Sequence, residues 1–470
     1  MKDISNTILG LEESLLKTGG TRYLAVNEGA FAEIPRVLSS YFCEDGNKKC
    51  LVACFSDKNT FKVAGNTVQE ILQTADVPIV ENFIFEDGIH AEYKHVEKIK
   101  ALLKAVLEKS EQDIQSVLVP VAIGSGTIND LVKRAAEEFA LPYLCIPTAA
   151  SVDGYTAYGA ALLYEGFKQT MPCKAPLAVL ADSMVLSEAP AYLSSSGFGD
   201  LAGKIIAGTD WIIADYIFEL DGKGELASGT SAIDSTAWSM VQNPLKNNLT
   251  SSVNAVKGDK DAVKILFEAL GITGFAMQYM KDSRAVSGCE HMWSHVWEME
   301  NLCVNGVPVT HGHKVVMGTL AGTAFTECLF TEKPQLSKNI PVWAEREASI
   351  RSTFESMPQI LPSVMKTARE KFIDNAENLI RLREGILDNW DAIRNDVFER
   401  IFPYAELRSL LGRAGCPVKP EEINLTREQV IGSAVKSQMI RKRFTALDFA
   451  FELGVFDTVL HKMESSEYFG

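Results

Sequence analysis

Short apolar runs alternate with amphipathic stretches along the first 185 residues of the chain. Tyr23–Val26 reads as a strand, followed by a helix over about Phe31–Tyr41. Cys50–Phe55 is a second strand, and Val68, Ile71 and Leu72 mark the buried face of the helix after it. Phe83–Phe85 is a short strand before a long amphipathic helix over His90–Glu108. Val117–Ile123 is the most apolar strand and runs directly into GSGTINDLVKRAAEEF, and Leu141–Ile146 is another strand ending at Pro147. Strands separated by helices of this length imply a parallel sheet covered on both faces. Tyr158–Tyr164 and Leu177–Leu180 read as the two arms of a long hairpin closing that domain. Beyond Leu186 the apolar period moves to about 3.6 residues. Lys257–Leu270, Asn339–Ser356, Leu361–Ile386, Trp390–Arg400 and Arg427–Leu453 carry it, with Gly271, Pro358, Pro403 and Gly415–Pro417 as breaks. The predicted fold class is α/β plus all-α: a parallel-sheet domain over residues 1–185 and an all-helical domain over 186–470.

A chain of 470 residues is too long for a single core, which agrees with two domains. Its net charge of -15 argues against a nucleic acid or an anionic membrane as partner, because binding to either needs a basic face. The global charge does not exclude a small anionic substrate. The N-terminal segment MKDISNTILGLEESLLK carries acids and does not read as a signal peptide, and no run reaches the length that spans a bilayer. Nine cysteines without a CxxC pair read as buried small hydrophobes in a reducing cytoplasm.

Four places carry candidate chemistry. Gly124, Ser125, Gly126, Thr127 and Ile128 join a strand to a helix, where glycines admit a phosphate close to the backbone and the helix end offers N–H groups. The same junction also fits a plain tight turn. Asp57, just past a strand, fits either an adenosine ribose ligand or a helix N-cap. Thr148, Ala149, Ala150, Ser151 and Asp153 follow a strand and fit either a ligand-binding loop or a polar turn. Seven histidines occur in the chain, and His291, His295, His311 and His313 fall close together. His291 and His295 are four apart on a helical stretch and share a face. Imidazoles of this density suit a zinc-like metal, with Asp200 in GFGDLAGK as an available carboxylate, although capping or surface histidines fit the count too.

Taken in order, DKNT at Asp57, GSGTINDLVK at Gly124, PTAASVDGYT at Pro147, GFGDLAGK at Gly197, SGCEHMWSHVWEM at Ser287 and HGHKVVMGTL at His311 resemble the iron-containing alcohol dehydrogenase and dehydroquinate synthase superfamily. The similarity is greatest to its glycerol-1-phosphate dehydrogenases and runs over roughly Leu51–Leu320. The resemblance implies a Rossmann-like N-terminal domain, a helical C-terminal domain, NAD or NADP, and one divalent metal, zinc first with nickel or iron also fitting. It implies Asp200, His291 and His311 as metal ligands, His295 and Asp200 as catalytic residues, and Asp153, Asp200 and His295 against the substrate. Gly124–Ile128 would hold the pyrophosphate, Asp57 the adenosine ribose, and Thr148–Ser151 would lie along the cofactor. The activity implied is interconversion of sn-glycerol 1-phosphate and dihydroxyacetone phosphate by a cytoplasmic homo-oligomer with a small phosphorylated polyol as substrate. A glycerol or diol dehydrogenase and a dehydroquinate synthase-like lyase are the alternatives. The chain departs from the pattern at Ala157, where a cofactor-contacting serine is usual, and at His313, where an acid is common. The tail beyond about residue 400 has no assigned role. Lys204 fits a surface position better than a substrate phosphate contact.

Overall fold

The computed structural model describes residues 7–43, 48–110, 116–164 and 167–470. The first six residues, part of the acidic N-terminus considered above, lie outside them. The described chain divides into two compact units, one formed by Ile8–Leu201 with Lys246–Asp282, the other chiefly by Ala202–Leu245 with Ser283–Gly470.

The first unit is built on six parallel strands: β1 (Tyr23–Asn27), β2 (Lys49–Asp57), β3 (Ile79–Phe85), β4 (Ser116–Gly124), β5 (Leu144–Pro147) and β8 (Ala178–Asp182). Their order is β1-β8-β5-β4-β2-β3, and every neighbouring pair is parallel. The central strands are apolar on both faces because both are covered: Val119, Val121, Leu144, Ile146 and Leu180 are buried in one cluster on one face, and Leu118, Ala122, Cys145, Val179 and Ala181 are buried on the other. Helices α1 (Asn66–Thr74), α2 (Tyr93–Ser110) and α3 (Gly126–Glu138) are the predicted amphipathic stretches. The segment expected as one helix near Phe31–Tyr41 is instead a succession of 3-10, α and π turns over Ala30–Phe42.

The hairpin expectation needs correction. β6 (Ala160–Tyr164) pairs antiparallel with β7 (Phe167–Met171), whereas Leu177–Leu180 belongs to the central sheet as β8. All five residues of β8 are buried, which a hairpin arm with one solvated face would not allow. The boundary expected at residue 185 also differs from the observed units. The start of helix α4 (Ala191–Leu220) and the whole of helix α5 (Lys260–Met280) group with the sheet. The Thr156 hydroxyl donates to the Gly271 carbonyl at 2.8 Å, and Gln278 Nε2 donates to the Thr156 carbonyl at 2.7 Å.

The second unit is helical, as expected. Within it, helices α6 (Cys289–Met299) and α7 (His311–Leu329) pack closely on each other. They are joined by a two-stranded ribbon, β9 (Cys303–Val304) and β10 (Val307–Pro308). Asn305 and Gly306 both take positive φ there, 51° and 80°, as a two-residue hairpin turn of this hand requires. The indole N–H groups of Trp293 and Trp297 donate to the Val430 carbonyl and the Ser433 hydroxyl, anchoring α6 on the helix Arg427–Met439. Two long predicted segments are each broken: Leu361–Lys371 is separate from Ala376–Asp388, and Arg427–Met439 from Ala446–Leu453. Among the described residues no helix is long and apolar enough to cross a membrane.

Cysteines depart from the expectation at two places, the Cys43–Cys50 pair and Cys303. Cys43 and Cys50 form a disulfide, while Cys54, Cys145, Cys173, Cys289, Cys328 and Cys416 are free and buried, and Cys303 is free and partly exposed.

Candidate metal and cofactor site

Parallel strands place the first set of candidate residues together. Gly124 at the end of β4 is in register with Pro147 at the end of β5, and Phe55 of β2 with Ala122 of β4. Asp57, Gly124–Ile128 and Thr148–Ser151 therefore all leave the carboxyl edge of the sheet from adjacent strands, the edge where open α/β sheets bind ligands. The Thr148 N–H donates to the Gly124 carbonyl at 3.2 Å, tying the two loops. Helix α3 starts at Gly126, and the first-turn N–H groups of a helix have no partner within it.

The Asp57 side chain caps a short helical turn over Lys58–Thr60, accepting the Thr60 N–H at 2.8 Å while the Thr60 hydroxyl accepts the Asp57 N–H at 3.0 Å. The cap reading is thus realised. The Thr148–Ser151 loop is fixed by Tyr155, whose hydroxyl donates to the Ala149 carbonyl at 2.7 Å and lies 3.0 Å from Ser151 Oγ. Gly197 on α4 faces this loop so closely that a Cβ there would stand 1.9 Å from the Ala150 carbonyl oxygen. Only glycine admits that approach. The Asp153 N–H donates to Asp200 Oδ2 at 2.9 Å, so two of the predicted site residues meet through a backbone donor.

The histidines are placed by α6 and α7. His291, His295 and Glu298 recur at four and three residues along one face of α6, and His311 opens α7 behind the N-cap Thr310. The ring centroids of His291 and His311 are 5.4 Å apart, those of His291 and His295 6.2 Å, and those of His295 and His311 6.5 Å. The two helices cross closely, and at Gly318 a Cβ would stand 2.2 Å from the Glu290 carbonyl oxygen. A Cβ at Gly203 on α4 would likewise stand 3.7 Å from His291 Cε1. Asp200 precedes Gly203 by three residues on the same unbroken helix, hence on the same face. Asp200, His291 and His311 form a group whose possible ligand atoms all lie within 4.8 Å of one another. Two imidazoles and one carboxylate are a donor set that suits zinc, nickel or ferrous iron.

Carboxylates that the sequence reading passed over hold the rings. His291 Nδ1 lies 2.5 Å from Glu290 Oε1, His311 Nδ1 lies 2.9 Å from Glu298 Oε1, and His295 Nδ1 lies 3.2 Å from Glu298 Oε2. The signal for Glu298 was present in CEHMWSHVWEM as the next position on the histidine face. Glu290, enclosed, has its carboxyl pushed up to about 7 by burial, against which the Lys204 ammonium works. Lys204, expected at the surface, is fully buried. Asp210 is also pushed up to about 7, by burial first and the Glu290 charge second. With Cys289 and Glu290 it makes a second buried group of possible ligands. Desolvation pushes His295 down to about 3 and His313 down to about 4, so both are neutral near pH 7.

Residues 25–190 match the family model described as iron-containing alcohol dehydrogenase. The chain is similar to a glycerol-1-phosphate dehydrogenase (NAD(P)+) of Bacillus velezensis, 32% identical over 317 residues that cover 66% of this chain and 74% of the relative. It is also similar to the Bacillus subtilis protein of that name, 30% identical over 327 residues covering 68% and 76% of the two chains. Among solved structures, a glycerol dehydrogenase from Schizosaccharomyces pombe matches with a TM-score of 0.56 over 96% of this chain and 94% of that one. At 15% identity that likeness is one of fold.

Proposed function

The chain belongs to the iron-containing alcohol dehydrogenase family, in its glycerol-1-phosphate dehydrogenase branch, and on that premise we propose that it interconverts sn-glycerol 1-phosphate and dihydroxyacetone phosphate with NAD or NADP. The observation that carries the reading is the union of two features on one chain. One is a helix N-terminus flanked by two loops at the carboxyl edge of a parallel sheet. The other is a set of imidazoles with a carboxylate within coordinating reach.

In this reading Asp200, His291 and His311 hold one divalent metal, zinc first. When bound, such an ion supplies Lewis acidity toward the substrate oxygens at C2 and its neighbour. A bound nicotinamide would supply the hydride chemistry that the reaction needs. Gly124–Ile128 hold the pyrophosphate by first-turn N–H groups, and Asp57 offers a carboxylate oxygen to the adenosine ribose without giving up its cap. Thr148–Ser151 lie along the cofactor. His295, a quarter exposed, contacts the substrate oxygen and relays its proton toward solvent. Asp153 orients a substrate hydroxyl. A self-associating enzyme working in the cytoplasm is the setting this reading implies.

The test is NADH oxidation by the purified chain with dihydroxyacetone phosphate or dihydroxyacetone. Each is assayed with and without added zinc, nickel or iron. Metal-dependent turnover of the phosphorylated ketone supports the reading. Turnover of the unphosphorylated ketone alone moves the chain to the glycerol dehydrogenases. Silence with both ketones favours a lyase.

A further inference from the structure

The metal and substrate histidines share a support that the reading above does not use. Glu298 lies on α6 seven residues after His291 and three after His295, and its side chain is only 4% exposed. Its two oxygens serve different rings. Oε1 faces His311 Nδ1 at 2.9 Å, and Oε2 faces His295 Nδ1 at 3.2 Å. The Lys314 ammonium lies 3.3 Å from Oε1, so an enclosed positive charge accompanies the enclosed negative one.

We propose that Glu298 is a positioning residue that couples the metal ligand His311 to the substrate contact His295 by fixing both rings as Nδ1–H tautomers. The inference rests on the function proposed above for the roles of those two histidines. Glu298 faces two Nδ1 atoms and the Lys314 ammonium, so each of its oxygens stands as an acceptor and both Nδ1 atoms donate to it. A neutral imidazole that donates from Nδ1 carries its lone pair on Nε2. His311 then presents Nε2 as a ligand atom, and His295 presents Nε2 as an acceptor for a substrate proton. Because one carboxylate holds both, the separation of ligand and substrate contact is set by a single side chain. His291 is held independently through Glu290.

A carboxamide cannot replace this arrangement. Glutamine has one acceptor face and one donor face, so it satisfies one Nδ1–H and opposes the other. Aspartate keeps both acceptors on a shorter stem. The experiment therefore compares the full chain with Glu298→Gln and Glu298→Asp. It reads zinc affinity by chelator competition, melting temperature, and kcat and KM for dihydroxyacetone phosphate and NADH. The expected result for Glu298→Gln is zinc affinity weakened about 10- to 100-fold, kcat lowered even at saturating zinc, and an unchanged KM for NADH. Glu298→Asp recovers part of both losses. Wild-type zinc affinity and kcat in Glu298→Gln overturn the proposal, as does a loss that tracks only the folded fraction. Long-range nitrogen–proton NMR of the histidine-labelled wild-type chain reads the tautomers directly, without any variant having to fold. An Nε2–H form at His295 or His311 in the metal-free chain overturns it. A wild-type chain that binds zinc yet leaves dihydroxyacetone phosphate unreduced defeats the substrate reading instead, and the tautomer and zinc data still decide the role of Glu298.

Discussion

Gly318→Ala is the smallest change that should disturb the candidate metal centre from outside it. Gly318 lies on α7, and a Cβ there would stand 2.2 Å from the Glu290 carbonyl oxygen, 3.0 Å from its carbon and 3.2 Å from its Cα. Comfortable contact between such atoms begins near about 3.5 Å, so α6 and α7 must part by roughly 1 Å. The clash is backbone against helix, with no flexible side chain to absorb it. Overpacking of this kind costs about 1–3 kcal/mol, and the upper half of that range is expected here. The displaced helices carry His291 and His311. A misplacement of about 1 Å at reacting groups is worth on the order of a hundredfold in rate. The control is Gly432→Ala, on the helix Arg427–Met439, where a Cβ would meet nothing within 4 Å. That change should stabilise the chain by about 0.5–1 kcal/mol. Differential scanning calorimetry and zinc titration by chelator competition read both variants. A Gly318→Ala chain that melts with the wild type and binds zinc equally well would refute the close-crossing account.

Other substitutions test single assignments. His291→Ala and Asp200→Ala should each abolish dihydroxyacetone phosphate reduction while circular dichroism stays at wild-type intensity; full activity in either folded variant removes it from the site. Asp57→Ala should cost about 1 kcal/mol for the lost cap and raise KM for NADH while leaving that for NADPH nearly unchanged. An unaltered KM for NADH leaves Asp57 as a cap alone. Lys133→Met removes a buried ammonium that donates to the carbonyls of Gly154, Ala157 and Gly159 at 2.7, 3.3 and 3.0 Å. It should destabilise the first unit by about 3 kcal/mol and expose residues 154–159 to limited proteolysis; resistance equal to wild type contradicts that clamp.

The strands and their loops were legible because a parallel strand covered on both faces is a continuous apolar run, as VLVPVAI shows. The same rule explains the hairpin error. Leu177–Leu180 is equally apolar, and its place beside β1 and β5 is set by long-range pairing that a local pattern does not carry. The 30-residue helix α4 escaped notice because AYLSSSGFGDLAGKIIAG is small, hydroxyl-rich and buried nearly all round, leaving no polar face to give a period. That burial also hid Lys204, which four-residue spacing from Asp200 alone does not distinguish from a surface lysine. The histidines were visible as a local density. Their carboxylate partners were visible only as spacing along α6, since Glu290 and Glu298 look like ordinary helix-surface acids until α7 is packed against them. The Asn305-Gly306 turn was a readable signal that sets the register of His311 after α6.

The central claim is that Asp200, His291 and His311 hold a single divalent metal on which reduction of a phosphorylated ketone depends. The direct measurement is titration of the metal-stripped chain with zinc, nickel or ferrous iron while NADH oxidation by dihydroxyacetone phosphate is followed. Activity that returns in proportion to one bound metal per chain, and fails to return in His291→Ala, is the predicted result. Full activity in the stripped chain, or recovery in His291→Ala at the same stoichiometry, would contradict it.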